Sequence, residues 1–198
     1  MSNLRNTILI TGVPGVGKTT VSRLLAESMG WQLVNISELA EVENLTTGFD
    51  SIRGTSVVDM EGMRERLTAI IEKAEGPIIV EGHFAYDVVP PEGVSHAFVL
   101  RRSPWILKEE LEARGYPGDK VWENVEAELV DVCLVEAVRA MGRERVCEID
   151  TTERQPAEIA EEIATVIRGM GPCGRTKVDW LGREETRGML EGRDVRRG

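Results

Sequence analysis

A glycine-rich segment, Gly12 to Thr19, most constrains how this chain can fold, because it joins two segments of opposite character. It follows Thr7–Thr11 (TILIT), a compact β-branched run typical of a buried strand, and it opens Lys18–Met29, which has helical periodicity. The segment reads GVPGVGKT and matches the pattern GxxxxGK[ST] in full. Backbone amides and a helix N-terminus converge in such a turn, so the pattern predicts a nucleotide phosphate site.

Each fixed position in this pattern has a physical task. Gly12, Gly15 and Gly17 let successive N–H groups approach phosphate oxygens without side-chain obstruction. Lys18 brings a mobile positive charge to the β and γ phosphates, and the Thr19 hydroxyl is a ligand for Mg²⁺. The alternative is a glycine-rich turn before an ordinary helix, with no nucleotide.

The rest of the chain alternates short apolar runs with longer segments of helical period. Four further strands are predicted at 32–35, 77–81, 97–101 and 146–150. Further helices are predicted at 60–75, 103–114, 120–141 and 155–170. This alternation requires crossover connections, so we expect an α/β fold with a five-stranded, mostly parallel sheet and helices on both faces.

Composition excludes several classes of protein. The 198 residues contain 41% hydrophobic and 29% charged residues, which is typical of one soluble globular domain and excludes a fibre or a disulfide miniature. The formal charge of -10 argues against strong direct binding to nucleic acid. The first apolar stretch is too short for a signal peptide and no 18-residue apolar run occurs, so we expect no membrane association and a cytoplasmic location.

The three cysteines, Cys133, Cys147 and Cys173, form no CxxC pair and have no histidine nearby at metal-ligand spacing. We interpret them as reduced, structural residues.

Two segments show neither the periodicity of a strand nor that of a helix. Glu41 to Val58 is longer than a simple connector, and long loops inside compact domains are usually functional. After Arg168 the chain is rich in glycine and arginine, and we expect it to be loosely ordered apart from a docking anchor at Val178 to Leu181. We therefore predict a catalytic domain over 1–170 and a tail over 171–198.

A second predicted strand supplies an acid to the phosphate site. Pro77 to Glu81 ends in a carboxylate, which makes Glu81 a Walker-B-like candidate that binds Mg²⁺, with water between them if its longer side chain requires it. The alternative is a solvated strand terminus. His83 follows at the sheet edge where α/β folds bind ligands, and it is suited to position a water against the γ phosphate. A simple loop hydrogen bond is the alternative for His83, and His96 is interpreted as structural or exposed.

Mobile cations are the last requirement for phosphoryl transfer. Arg114 ends a predicted helix beside a Gly/Pro hinge, which suits a small closing lid. Arg101 and Arg102, at the end of the fourth strand, are second candidates. For Arg114 the alternative is a solvated arginine that interacts with the helix dipole.

Several of these segments together resemble a known family. They are TGVPGVGKTT, VEGHF, VLRRSP, LEARGY, ENVEAELVDVCLVEA and EIDTT. The chain is similar over roughly Thr7 to Met170 to the adenylate kinase isoenzyme six family, also called coilin-interacting nuclear ATPase-like or factor-activating-Pos9-like proteins, and KVDWL looks like its archaeal members. The resemblance implies a P-loop NTPase with a compact adenylate-kinase fold, a nucleoside-monophosphate (NMP) region over 35–59 and a short lid over 114–124.

The resemblance also implies roles for single residues. Residues that match the family's ATP loop are Gly15, Gly17, Lys18, Thr19 and Thr20. Arg114 matches its lid arginine, while Glu81 and His83 stand at its Walker-B pair, usually Asp-x-His. Members of the family are described as both nucleotide kinases and ATPases. The chain departs from the family at Glu81 and at Glu110, where many relatives have an arginine four residues before the lid arginine; Arg101 or Arg102 is a candidate to compensate.

Three functional hypotheses follow. The first is an adenylate kinase that uses MgATP and AMP, with other nucleoside monophosphates as further acceptors. Its predicted acceptor contacts are Ser37, Glu38 and Asp59, and Thr151 to Pro156 is expected beside the adenine ring. The second, implied by the resemblance, is an ATP-hydrolysing assembly factor in maturation of the small ribosomal subunit that binds and releases the basic small-subunit ribosomal protein eleven. An acidic surface suits such a partner. The third is a small-metabolite kinase on the same scaffold.

Overall fold

A computed structural model describes residues 7–50, 55–173 and 178–194, so the parts of the predicted domain, NMP region and tail that fall on 1–6, 51–54, 174–177 and 195–198 lie outside the described residues. The strands are β1 (Thr7–Thr11), β2 (Gln32–Asn35), β3 (Thr46–Asp50), β4 (Thr55–Val58), β5 (Ile78–Glu81), β6 (Val94–Arg101) and β7 (Val146–Asp150). The helices are α1 (Lys18–Met29), α2 (Ile36–Val42), α3 (Met60–Lys73), α4 (Ala85–Val88), α5 (Pro104–Ala113), α6 (Gly118–Leu129), α7 (Val132–Met141), α8 (Pro156–Ile167) and α9 (Glu184–Asp194).

The central sheet has five parallel strands in the order β2-β5-β1-β6-β7, which confirms the predicted α/β fold. Every residue of β1 and β5 is buried, so helices cover both faces of the sheet at its centre. Ile10 pairs with Glu81 on one side and with Phe98 on the other. This register brings the carboxyl ends of β1 and β5 level with each other, at the edge where the glycine-rich segment begins.

Helices α1 and α8 pack against each other beside this sheet. Residues four apart on each helix are buried, Val21 and Leu25 on α1 and Ile159 and Ile163 on α8, as an amphipathic helix requires. Helix α8 begins with a capping box between Gln155 and Glu158, which satisfies two amides at its first turn.

The predicted helix over 120–141 is wrong in one respect, because it is two helices. Asp131 has a φ of 59°, a left-handed conformation that ends α6 and starts α7. Helical periodicity continues on both sides of the break, so the sequence pattern alone does not reveal it.

The unpatterned segment contains a small hairpin. Strands β3 and β4 pair antiparallel, with Phe49 opposite Ser56. Phe49 and Val57 are exposed, so the hairpin does not belong to the core. A hairpin with both faces largely in solvent lacks the alternation that predicts a strand.

The cysteine and tail interpretations both need correction. Cys147 on β7 forms a disulfide with Cys173, and only Cys133 is a free buried thiol among the described residues. The sheet brings β7 and the end of α8 together, which spacing along the chain does not show. In the tail, Trp180 is buried as the predicted anchor requires, but the described residues beyond it form α9 and not a loose segment.

Arg101 is the centre of a buried charged cluster. It is 1% exposed, and its guanidinium contacts the carboxylates of Glu128 at 2.7 Å, Asp131 at 2.5 Å and Glu148 at 2.5 Å. The Trp180 indole N–H donates to the same Glu128 at 2.8 Å. Arg101 therefore faces carboxylates and not the phosphate site, so its prediction as a phosphate-facing cation is wrong.

No helix within the described ranges is both long and apolar enough to cross a bilayer.

Candidate active site

A cavity of about 670 Å³ opens at the carboxyl ends of β1 and β5, directly above the glycine-rich segment. Its volume is within the range of small-molecule sites, roughly 300–1,000 Å³. Its lining comes from the phosphate loop, the ends of β2 and β5, the start of α2, helix α4, helix α6 with the turn before it, and the start of α7. The residues are Val13, Pro14, Gly15, Lys18, Thr19, Asn35, Ser37, Glu81, Gly82, His83, Tyr86, Tyr116, Lys120, Glu123, Asn124, Ala127, Val132 and Cys133.

The loop holds its shape because its three glycines, Gly12, Gly15 and Gly17, adopt positive φ. Gly12 has a φ of 138°, and a Cβ there would lie 2.4 Å from the carbonyl oxygen of Leu100 on β6. Gly17 has a φ of 93° and caps the N-terminus of α1. The positive end of α1 therefore points toward the cavity, where an anion is favoured.

Lys18 lies at the base of the cavity. Its Nζ donates to the carbonyl oxygen of Val13 at 3.0 Å, a contact within the loop itself. Burial lowers the pKa of Lys18, and the negative charge of Glu81 opposes that change. An ammonium group so placed is available to phosphate oxygens in the loop.

Glu81 is 2% exposed, which excludes the alternative of a solvated strand end. Its Oε1 accepts a hydrogen bond from the Thr19 hydroxyl at 2.9 Å and another from the Asn35 side-chain amide. Burial raises the pKa of Glu81, while Lys18 and the Thr19 hydrogen bond lower it. Sequence reasoning did not single out Asn35, although a polar residue at the end of a strand that neighbours β5 is a signal that could have found it.

These oxygens fit a magnesium ion. Mg²⁺ takes oxygen ligands and usually binds through one or two protein groups, with water and substrate phosphates completing its shell. The Thr19 hydroxyl and the Glu81 carboxylate adjoin beside the loop and meet this requirement. No cluster of three or more His, Cys, Asp or Glu side chains suited to a metal occurs in the part of the chain that the structure describes, so a protein-only cage is not formed there.

His83 lies at the cavity wall, edge-on to the ring of Phe84 at 4.6 Å. Enclosure by the protein lowers its pKa to about 4, and the ammonium groups of Lys18 and Lys120 act in the same direction. The ring is still exposed toward the open cavity, so solvent screening limits this change. A neutral imidazole can accept a hydrogen bond from a water or a substrate.

The three predicted acceptor contacts have different surroundings. Ser37 lines the cavity. Glu38 is not among the lining residues and pairs with Arg23 at 2.9 Å. Asp59 is also outside the lining and caps α3, where its Oδ1 accepts from the N–H of Gly62 at 3.0 Å.

The predicted cations also differ in placement. Arg114 is exposed at the end of α5 and does not line the cavity. Arg102 pairs with Glu110 and donates to the carbonyl oxygen of Thr151 at 3.2 Å. Lys120, which sequence reasoning did not single out, lines the cavity from the first turn of α6.

The predicted lid and adenine segments both adjoin the loop. Tyr116, Glu123 and Asn124 of the predicted lid line the cavity. Thr151 donates its hydroxyl to the carbonyl oxygen of Val16 at 3.2 Å, which ties the segment after β7 to the back of the phosphate loop.

The chain is similar in sequence to known proteins. Residues 8–131 match the family described as "AAA domain". A protein of Methanothermobacter thermautotrophicus, named "Putative adenylate kinase", is 42% identical over 175 residues, which are 88% of this chain and 97% of the relative. A protein of the same name from Methanocaldococcus jannaschii is 40% identical over 161 residues, 81% of this chain and 85% of the relative.

A solved structure shares the fold. Shikimate kinase from Acinetobacter baumannii, in complex with shikimate, superimposes with a TM-score of 0.56 at 21% identity, covering 83% of this chain and 94% of that one. At this identity the likeness shows the fold alone. Because the family match spans more than half of the chain and the relatives match over most of their length, this protein belongs to the adenylate-kinase-like family of P-loop proteins.

Proposed function

We propose that this protein is a nucleoside monophosphate kinase that transfers the γ phosphate of MgATP to AMP. Its family and its phosphate loop make it an ATP-dependent phosphotransferase, and the proposal concerns the acceptor. The observation that carries it is one cavity that joins Lys18 and Thr19 to Ser37 of the predicted NMP region and to Tyr116 of the predicted lid. Donor and acceptor phosphates can therefore meet in a single cavity.

The proposed reaction needs no covalent enzyme intermediate. An oxygen of the AMP phosphate forms a bond to the γ phosphorus, the bond from that phosphorus to the bridging oxygen breaks, and both products are ADP. Amides of Gly15 to Thr20 hold the donor, and Lys18 neutralises charge on the moving group. Thr19 and Glu81 are the residues that would hold Mg²⁺, which supplies further neutralisation of phosphate charge when bound.

In the proposed reaction, Arg114 acts when the lid closes. It follows α5 and precedes Gly115, which has a φ of 77° and gives the chain a turn before α6. Movement about this turn would carry the exposed guanidinium toward the cavity and exclude water from it. Other nucleoside monophosphates remain within the proposal as acceptors.

A coupled assay of ADP formation tests the acceptor. We expect ADP formation from MgATP to depend on AMP and to fall by at least about 10²-fold in Lys18→Ala, since the variant loses an electrostatic contact to the transferred group. Lys73→Ala, at an exposed position outside the cavity, is the matched control. Absence of ADP formation at every Mg²⁺ concentration would reject the proposal.

We propose as a second candidate an ATP-hydrolysing factor for assembly of the small ribosomal subunit. The formal charge of -10 favours it, because an acidic surface suits a basic partner such as small-subunit ribosomal protein eleven, the partner implied by the family resemblance. His83 is suited to orient the attacking water, since its lowered pKa keeps the imidazole neutral.

Two measurements distinguish this candidate. His83→Ala should reduce ATP hydrolysis more than transfer to AMP, and binding of the purified ribosomal protein should weaken with added salt and during ATP turnover. His96→Ala, away from the cavity lining, is the control. Equal loss of both reactions, together with nucleotide-independent partner binding, argues for the kinase alone.

A further inference from the structure

The charge beside the predicted lid differs from that of the resembled family. Glu110 stands four residues before Arg114, where the family resemblance leads us to expect an arginine. Arg101 cannot take its place, because it is buried among carboxylates, and Arg102 is paired with Glu110 itself. Arg114 is exposed and outside the cavity lining.

The cavity nevertheless holds two ammonium groups. Among its described lining residues, the lysines are Lys18 and Lys120, and no arginine is present. Lys18 enters from the phosphate loop, whereas Lys120 enters from α6. The two charges therefore come from different elements, as required to contact a transferred group from two sides.

Contacts on α6 hold Lys120 in place. Its Nζ lies 5.4 Å from the ring centroid of Tyr116, a cation–π contact at the cavity wall. Its carbonyl oxygen accepts a hydrogen bond from the Asn124 side chain at 2.7 Å, one turn along the helix. Beneath it, Val121 and Val125 are fully buried and attach the helix to the core. The helix is thus fixed while the ammonium group stays at the cavity surface.

We propose that Lys120 is a phosphate-binding catalytic residue whose ammonium group contacts the transferred phosphoryl group together with Lys18. This rests on the proposed function. Lys120 forms no covalent bond in this role. It exchanges its contact with the Tyr116 ring for the phosphoryl oxygens when both substrates are bound, and so supplies the charge that Glu110 does not.

Two variants of Lys120 separate the effect of its charge from the effect of its packing. Lys120→Met removes the charge and keeps most of the apolar stem, and we expect kcat for AMP-dependent ADP formation to fall by about 10²-fold. The KM for ATP should change by less than about threefold, because the contact forms mainly in the transition state. Lys120→Arg retains the charge and should keep kcat within about fivefold of wild type.

Lys108→Met is the matched control. Lys108 also lies over an aromatic ring, 6.0 Å from that of Trp122, but it belongs to α5 and does not line the cavity. We expect its kcat to stay within about twofold of wild type. Thermal unfolding of each variant checks that the fold is retained.

Binding of diadenosine pentaphosphate, which joins donor and acceptor in one molecule, gives a readout independent of turnover. By calorimetry, Lys120→Met should bind it at least about tenfold more weakly than wild type and Lys120→Arg should not. Wild-type protein that neither binds this compound nor forms ADP would reject the proposed function. If wild type is active, equal kcat for Lys120→Met and wild type, or an equal loss in Lys120→Met and Lys120→Arg, would overturn the role of Lys120.

Discussion

At the scale of single residues, the site depends on the buried carboxylate of Glu81. Glu81 is buried at the end of β5, beside one cation, Lys18, and two donors, Thr19 and Asn35. Burial disfavours its charged form, whereas the cation and the donors favour it. The carboxylate therefore depends on these partners to stay ionised, and its removal should weaken the binding of Mg²⁺.

Changing this carboxylate should alter both rate and pH dependence. Glu81→Gln should lower kcat by about 10–100-fold, since the group that would hold the metal or its waters loses its charge. Because burial raises the pKa of Glu81 above 4.5, wild-type activity should fall with decreasing pH through a value above 4.5, and Glu81→Gln should lack this limb.

Glu81→Asp is the control for that change, since it keeps the charge and restores the shorter acid usual in the resembled family. It should retain more activity than Glu81→Gln when kcat is measured across pH 5 to 8. An equal loss in both variants would mean that the length of the side chain matters as much as its charge.

At the scale of elements, the sequence predicts most of the architecture. Buried strands and the helix after the loop are recognised because their apolar period is local, and β1, β2, β7 and α1 have the predicted bounds. The break between α6 and α7 is different. Asp131 has a left-handed conformation where its carboxylate meets Arg101, a contact 30 residues away in sequence. Such tertiary contacts leave no periodic signal.

The candidate site was predictable to a similar extent. Lys18, Thr19, Glu81 and His83 line one cavity, as strand ends and a motif of fixed spacing led us to expect. Lys120 was not singled out, because a lysine in the first turn of a helix resembles any solvated lysine until the fold places it at a cavity.

The phosphate loop approaches β6 closely at Gly12, and this contact leads to a prediction about stability and ATP binding. Gly12→Ala should lower the free energy of unfolding by about 1–3 kcal/mol and reduce ATP binding, because the new methyl group would meet the Leu100 carbonyl oxygen at 2.4 Å. Gly76→Ala is the control, since a methyl group there meets no atom within 4 Å. Chemical denaturation and ATP calorimetry measure the two effects; unchanged stability in Gly12→Ala would show that the loop moves away from β6.

At the scale of the whole molecule, one buried cluster joins distant parts of the chain. Arg101 on β6 contacts Glu128 on α6 and Glu148 on β7, and Trp180 adds the tail through Glu128. The disulfide of Cys173 fixes the same tail to β7 upstream of that tryptophan. The helix that carries Lys120 is therefore supported at its far end by the last described segment of the chain.

This cluster makes stability depend on pH. Burial raises the pKa of Glu128 to about 7, although Arg101, Trp180 and the Arg102 N–H lower it. The Glu128 carboxyl therefore binds its proton more tightly in the folded state than in the unfolded state. Its contribution to the free energy of unfolding is complete below about pH 4.5 and is lost as pH rises through about 7.

Trp180→Phe should cost about 2 kcal/mol of unfolding free energy at pH 8, where Glu128 is ionised and loses a donor. The cost should be smaller at pH 5, where the carboxyl is protonated in the folded state. Denaturant titrations at both pH values measure it, with Leu181→Ala, a 63% exposed neighbour, as the control. A cost that does not vary between pH 5 and pH 8 would contradict the assignment.

The hydrogen bond from the Trp180 indole to Glu128 also has an evolutionary consequence. A lineage that lost the aromatic residue at position 180 would leave a buried carboxylate with one donor fewer, and selection should then favour a neutral side chain at position 128. Alignments of homologous chains should therefore show these two positions changing together, although 52 residues separate them.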